Sequence, residues 1–174
     1  MPSKEDNESL LSSEQEDFRA AMRYWATGVA VVATQYEEVR HGMTVNSFTS
    51  VSLDPPLIIV ALDQSARTHN LVQGSQVFGV TILSSRQEEL SNRFAGRHTE
   101  DQDRFAGLEI KTLITGSPFI KGGMAYVDCR VVSTHNIGHN TLFIAEVAAF
   151  QTNPETRMDG PLLYYFRDYR SLKE

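Results

Sequence analysis

Gly42-Met-Thr-Val-Asn-Ser-Phe-Thr-Ser-Val-Ser-Leu-Asp-Pro-Pro56 is the stretch from which the fold is read. Six hydroxyl or amide side chains stand between Thr44 and Ser52: Thr44, Asn46, Ser47, Thr49, Ser50 and Ser52. Such groups are costly to bury without hydrogen-bond partners, so they belong at the edge of a core. Asp54-Pro55-Pro56 then breaks the chain, because proline cannot donate to a sheet ladder. The apolar run Leu57–Leu62 behind it reads as an interior strand. By itself the cluster fits two arrangements. One is an edge strand with its hydroxyls in water, since threonine is common in strands. The other is a dense set of donors facing a polar, flat, phosphorylated ligand.

Working outward, Val29–Thr34, Val77–Leu83, Tyr126–Thr134 and Thr141–Phe150 also read as strands. In the third, Val127, Cys129 and Val131 alternate with Asp128 and Arg130, the period of a half-buried strand. Glu37–Gly42 reads as a polar hairpin turn, and Asn136–Asn140 as another. Ser13 with Glu16 forms a capping-box pattern ahead of Phe18, Ala21, Met22 and Trp25, spaced as one helix face that Gly28 ends. Arg67–Gln73 is a short helix ending at Gly74. Ser85 and Glu88 form a second capping box opening a helix with Leu90 and Phe94 on one face, an i,i+4 pair of Glu89 and Arg93, and Gly96 at its end. Six strands dominate two or three peripheral helices, and most connections are too short for helical crossovers. The pattern therefore predicts a mainly β, antiparallel sheet, closed as a barrel.

The 174 residues read as a disordered acidic leader over 1–11 and one domain over 12–174. Of the formal net charge of −6, the first 17 residues account for five, six carboxylates against Lys4. The rest of the chain is nearly neutral, with no basic excess for nucleic acid and no polybasic patch for a membrane. The apolar runs are too short to cross a bilayer. No secretory leader opens the chain, and the single Cys129 cannot form an internal disulfide; a cytoplasmic location is expected.

Segments spread along the chain resemble the flavin reductase family, the reductase components of two-component flavin-dependent monooxygenases. They are Phe18-Arg with Trp25-Ala-Thr-Gly-Val29, the Gly42–Pro56 stretch, Leu62-Asp-Gln-Ser-Ala-Arg-Thr68, Leu90-Ser-Asn-Arg-Phe-Ala95, Asp103-Arg-Phe-Ala-Gly107 and Pro161-Leu-Leu-Tyr164. The resemblance implies an FMN-binding split barrel, a homodimer, and NAD(P)H-dependent hydride transfer to FMN or FAD. Reduced flavin would pass by diffusion to a separate oxygenase. It implies that Thr44, Val45, Asn46 and Ser47 face the flavin ring, with Thr49, Ser50 and Ser52 nearer the ribityl chain and phosphate. Arg93 belongs to the same Arg-Phe-Ala pattern and joins the cofactor-binding set. Thr27, Phe105, His139 and Asn140 are the candidates for NAD(P)H. The family often shows Gly-Asp-His where this chain has Gly138-His139-Asn140, and a glycine that is absent from Tyr165-Phe-Arg-Asp-Tyr169. The first departure leaves an alternative, a flavoredoxin-like electron carrier that binds flavin without NAD(P)H turnover. A colourless barrel that docks a partner through its acidic tail is a third reading.

Ser65, Arg67 and Thr68 open a helix. Free N–H groups, two hydroxyls and a guanidinium there suit a phosphate, although an ordinary N-cap with an exposed arginine has the same letters. Arg97, His98, Arg104 and Phe105 sit in a charged loop, either solvated or a lid over the nicotinamide nucleotide. His135 and His139 flank a turn rather than share a helix face, so no metal site is expected. Cys129 reads as a small buried hydrophobe. No Gly-x-Gly-x-x-Gly or Walker loop occurs, so a dinucleotide would have to be held without those grips. No catalytic acid, base or nucleophile is required, because hydride transfer between stacked rings needs alignment and electrostatics.

Overall fold

The computed structural model describes residues 14–96 and 103–172. The expected leader over 1–11, Ser13 of the first capping box, Arg97 and His98 lie outside the described residues. Helix α1 covers residues 14–22. It is followed by β1 (Thr27–Gly28), β2 (Ala30–Tyr36), β3 (Val39–Val45), β4 (Thr49–Leu53), β5 (Pro56–Asp63), α2 (Arg67–Ser75), β6 (Val77–Ile82) and α3 (Glu88–Phe94). Then come β7 (Ile110–Lys111), β8 (Phe119–Ile120), β9 (Ala125–Ile137), β10 (Asn140–Thr152), β11 (Leu163–Tyr165) and β12 (Asp168–Arg170).

The main sheet has seven strands in the order β3-β2-β6-β9-β10-β5-β4, all antiparallel. The mainly β, antiparallel architecture is as expected, and the open sheet is the split that the family resemblance implies rather than the closed barrel of the strand pattern alone; the strand count is seven rather than six. The hydroxyl stretch is two strands rather than one. β3 ends at Val45, residues 46–48 cross the opening, and β4 starts at Thr49 on the opposite edge. The two edge strands do not pair with each other, so the barrel is split. Ser47 explains where the break falls. Its hydroxyl donates to the Ala61 carbonyl at 2.8 Å and accepts from the Ala61 N–H at 3.2 Å. One side chain thus satisfies the backbone of β5 just beyond the point where β4 stops pairing.

The near-continuous apolar run in β2 follows from burial on both faces. Ala30 and Val32 join the barrel interior with Val60, Leu62, Phe78, Val80, Cys129 and Phe143. Val31 and Ala33 face a second cluster with Leu83, Phe94, Phe105 and Leu162. β5 instead alternates, with Ile58, Val60 and Leu62 buried. Gly79 sits where a side chain cannot: an added Cβ would lie 2.6 Å from the ring of Phe119, itself fully buried.

Several local expectations shift. Gly28 belongs to β1, and α1 ends six residues earlier. The polar hairpin turn shrinks to Glu37–Glu38, because Val39 to Gly42 already pair with β2. Gly74 lies inside α2, which runs on to Ser75, and its missing side chain makes room for the ring of Tyr36. The second capping interaction is one residue upstream, where the Ser84 N–H donates to Gln87 Oε1 at 3.0 Å. Arg93 does not pair with Glu89; it donates to the Ala106 carbonyl at 2.5 Å. Asp128 is fully buried on the second face of β9, where it accepts the Thr115 N–H at 2.7 Å as well as the Thr115 hydroxyl.

The apolar residues expected on one face of α1 are uncovered, and Trp25 lies beyond its end: Phe18 and Trp25 are 67% and 68% exposed. Beside it, the β11–β12 hairpin turns through Phe166 and Arg167, both at positive φ without a glycine. The end of α1 holds that turn. The Phe166 N–H donates to the Arg23 carbonyl at 3.0 Å, and its ring meets Tyr24 edge-on at 5.4 Å.

Candidate active site

The split leaves a cleft of about 840 Å³ beside edge strand β3. Its walls are β3 from His41 to Val45 with Asn46 just beyond it, the entry to α2 from Ser65 to Thr68, Phe94 at the end of α3 with Ala95 and Gly96 after it, and Tyr164 and Tyr169 of the C-terminal hairpin. An edge strand leaves alternate backbone N–H and C=O groups outside the sheet ladder, and here they border the cleft.

One end is cationic. β5 ends at Asp63, whose carboxylate accepts both the backbone N–H of Ser65 at 2.8 Å and its hydroxyl at 2.6 Å. These bonds hold the Asp63 carboxyl below its ordinary range. This turn delivers the chain into α2, whose first turn carries no acidic residue. Arg67 is exposed at that start and makes no ion pair among the described residues. Arg104 reaches in from the following loop and donates to the Gly42 carbonyl at 3.1 Å and the Phe94 carbonyl at 3.0 Å. Between the two arginines lies His41, whose Nδ1 is 2.8 Å from the hydroxyl of buried Thr68. Burial, then the charges of Arg104 and Arg67, push His41 down to about 4. At neutral pH its ring is therefore uncharged.

The other end is flat and aromatic. Tyr164 and Tyr169 meet edge-on at 5.6 Å, and the Tyr169 hydroxyl lies 2.8 Å from that of Ser91. Val29, Met43, Val45 and Phe94 supply apolar surface between the two ends.

Of the residues singled out in the sequence, Thr44, Val45, Asn46, Ser65, Arg67, Thr68 and, from the charged loop, Arg104 line this cleft. The Thr44 hydroxyl is committed to the Ser91 carbonyl at 2.6 Å. Ser47 faces β5. Thr49 and Ser50 are exposed on edge strand β4, and Ser52 is half-buried there. Arg93 points at the carbonyls of the 103–106 loop. Thr27 lies in β1 opposite Tyr164, its hydroxyl oxygen buried without a partner. Phe105 is a core residue stacked edge-on against Phe94 at 4.9 Å. His139 and Asn140 are exposed at the β9–β10 turn, where their carbonyls accept from Gln64. Sequence reasoning missed His41, Met43, Tyr164 and Tyr169 as cleft residues. The signal for His41 was available: strand alternation puts it on the face of Met43 and Val45, once residues 39–42 are read as strand rather than turn. Tyr169 had no local signal, because only the hairpin brings it to β3.

An open antiparallel barrel with a cleft aromatic at one end and cationic at the other defines a class of protein shaped for a flat, anionic ligand. The chain belongs to the flavin reductase like family, whose domain model matches residues 22–173. It is 42% identical over 153 residues to the NADH-dependent flavin reductase StyB of Pseudomonas fluorescens, covering 87% of this chain and 86% of that protein. Among solved structures it resembles nitrilotriacetate monooxygenase component B from Mycobacterium thermoresistibile, at 32% identity with a TM-score of 0.86, covering 93% of this chain and 88% of the other. It also resembles the styrene monooxygenase flavin reductase of Pseudomonas putida S12, at 39% identity and a TM-score of 0.80, covering 91% and 98%. Among the described residues no helix is long and apolar enough to cross a membrane.

Proposed function

We propose that the chain is an NADH-dependent flavin reductase, that its cleft holds the flavin, and that the reduced flavin diffuses to a separate oxygenase. The observation that carries this reading is the polarity of the cleft. A flavin nucleotide has a flat ring at one end and a phosphate at the other, and the cleft has Tyr164 and Tyr169 opposite Arg67 and the start of α2. In this reading Arg67 and the free N–H groups of α2 hold the phosphate, while the Ser65 hydroxyl stays on Asp63 and shapes the turn that presents them. The edge of β3 from Thr44 to Asn46 orients the ring through its backbone groups. Donors fixed in that position favour negative charge on the ring without reorganising. When bound, the flavin supplies the redox chemistry, accepting hydride from the nicotinamide. Thr49, Ser50, Ser52 and Arg93 have no part in it, since none lines the cleft.

The same reading makes the protein a cytoplasmic homodimer. The uncovered side chains of Phe18, Met22, Trp25 and Phe166 form one apolar surface beside the mouth of the cleft at Asn46 and Tyr164. A contiguous apolar surface of this kind marks an interface, and a second copy covering it would close the open side of the site. Light scattering at micromolar concentration gives twice the chain mass on this reading, and Trp25→Asp gives the monomer.

The functional test is steady-state oxidation of NADH and NADPH with added riboflavin, FMN and FAD. Turnover with free flavin is expected. Tight flavin binding with no NADH oxidation would leave an electron carrier instead, and a chain that binds no flavin would overturn the reading altogether.

A further inference from the structure

The aromatic end of the cleft is tied down by a residue that does not line it. Ser91 is fully buried at the middle of α3. Its hydroxyl lies 2.8 Å from that of Tyr169. Its carbonyl accepts the Thr44 hydroxyl at 2.6 Å alongside the Ala95 N–H at 2.9 Å. We infer, on the reading just given, that Ser91 is a positioning residue for the flavin ring, which through Tyr169 and Thr44 fixes the aromatic wall against the edge of β3.

The hydroxyl of Ser91 is not explained by its own helix. Inside a helix serine is a weaker former than alanine, and a hydroxyl out of water costs free energy unless it is paired. Alanine would fill this buried position at lower local cost, so what the hydroxyl meets accounts for it. What it meets is a hairpin that cannot hold its own shape. β12 is the outer strand of the sheet β1-β11-β12 and pairs with β11 alone. The turn before it places Phe166 and Arg167 at φ 52° and 63°, where hairpins favour glycine, asparagine or aspartate. Backbone of that kind persists where its surroundings over-determine it. The Arg23 carbonyl holds the tip of the turn, and Ser91 holds the strand that returns from it. Tyr169 stands directly opposite Tyr164 in the ladder, and their rings meet at 5.6 Å, so a bond that places one ring places both. Thr44 belongs to the part of β3 that orients the flavin ring in the proposed function. One residue of α3 thus joins two of the surfaces that border the ring, at the end of the cleft away from Arg67.

Ser91→Ala and Tyr169→Phe each delete one side of the bond and keep the helix and the ring. Tyr169 is only half-buried, so its hydroxyl finds water when unpaired. The Ser91 hydroxyl can turn to a carbonyl of the preceding helical turn. Both variants and their combination are titrated with riboflavin and FMN by flavin fluorescence, assayed for NADH oxidation and unfolded in urea. Each single variant should bind riboflavin and FMN about fivefold more weakly, the worth of one neutral hydrogen bond. The FMN-to-riboflavin affinity ratio and the urea midpoint should stay at wild-type values, because the phosphate end and the core are untouched. With saturating flavin and NADH, kcat should fall, since the reacting rings are less well aligned. The double variant should lose no more than either single one, because both remove the same bond. Wild-type affinity and kcat in both single variants would overturn the inference while leaving the flavin site standing. So would losses that add in the double variant, or losses that track a lowered urea midpoint, which would make Ser91 a packing residue only. A wild-type chain that binds neither flavin would overturn the proposed function and this inference together.

Discussion

His41 makes the folded cleft sensitive to acid. Its pKa is lowered from 6.5 to about 4 by burial and by the guanidinia of Arg104 and Arg67, against a smaller opposing pull from Asp103. As pH falls through 6.5, the unfolded chain takes a proton on this ring and the folded chain does not. The unfolded state is thereby favoured, so stability is lost on going from neutral pH toward 4 and recovered above 6.5. Below about 4 both states hold the proton and the loss from this residue stops growing. At about 1.4 kcal/mol per pKa unit the full displacement is worth about 3 kcal/mol. The ring is only half-buried, and solvent screening brings the expected effect to about 1–2 kcal/mol. The assay is urea denaturation of wild type and His41→Gln at intervals from pH 7 to 4.5. Glutamine can still reach the Thr68 hydroxyl but does not titrate, so the carboxylates and the other histidines cancel in the comparison. Wild type should lose about 1–2 kcal/mol more than the variant across that range. Parallel curves would refute the assignment of His41 as a neutral ring between two arginines. On the proposed reading, repeating the titration with saturating FMN shrinks the difference, because a phosphate beside Arg67 offsets the charges that hold the proton off.

Arg67→Ala should weaken FMN binding about tenfold while changing riboflavin binding little, since only FMN carries the phosphate; equal losses in fluorescence titrations would show that Arg67 does not meet it. Ser47→Ala should cost about 1–2 kcal/mol in denaturant unfolding, because it strips two backbone partners from Ala61 at once, and flavin affinity should follow only indirectly. Gly79→Ala should cost about 1–3 kcal/mol by driving a methyl group into Phe119, and adding Phe119→Leu, measured as a double-mutant cycle, should recover part of that loss; strict additivity would place the strain elsewhere.

Much of the fold was legible because its strands write their environment into their residues. Ala30–Ala33 of β2 are apolar at every position because both faces are buried there; β5 is apolar from Leu57 to Leu62 although only Ile58, Val60 and Leu62 are fully buried. The start of α2 was legible as a cationic turn from Ser65, Arg67 and Thr68, and the structure puts all three on the cleft. Half of the hydroxyl cluster misled. Thr44 and Asn46 border the cleft, whereas Thr49 and Ser50 lie in the open on β4. Periodicity cannot reveal that one polar run crosses from one sheet edge to the other, because side chains alternate identically on both sides of the crossing.

By itself the sequence determined the antiparallel β architecture, the positions of α2 and α3, the buried Cys129 and the cationic helix start. These depend on spacing within a few residues, which propensity and burial enforce locally. Only the tertiary structure decided where the barrel splits, between β3 and β4, and that seven strands share one sheet. It alone brings His41, Arg104, Tyr164 and Tyr169 to one cleft. Those residues are far apart along the chain and meet through strand pairing and loop packing. Such contacts are set by which backbone groups and apolar faces remain unsatisfied once the local elements have formed.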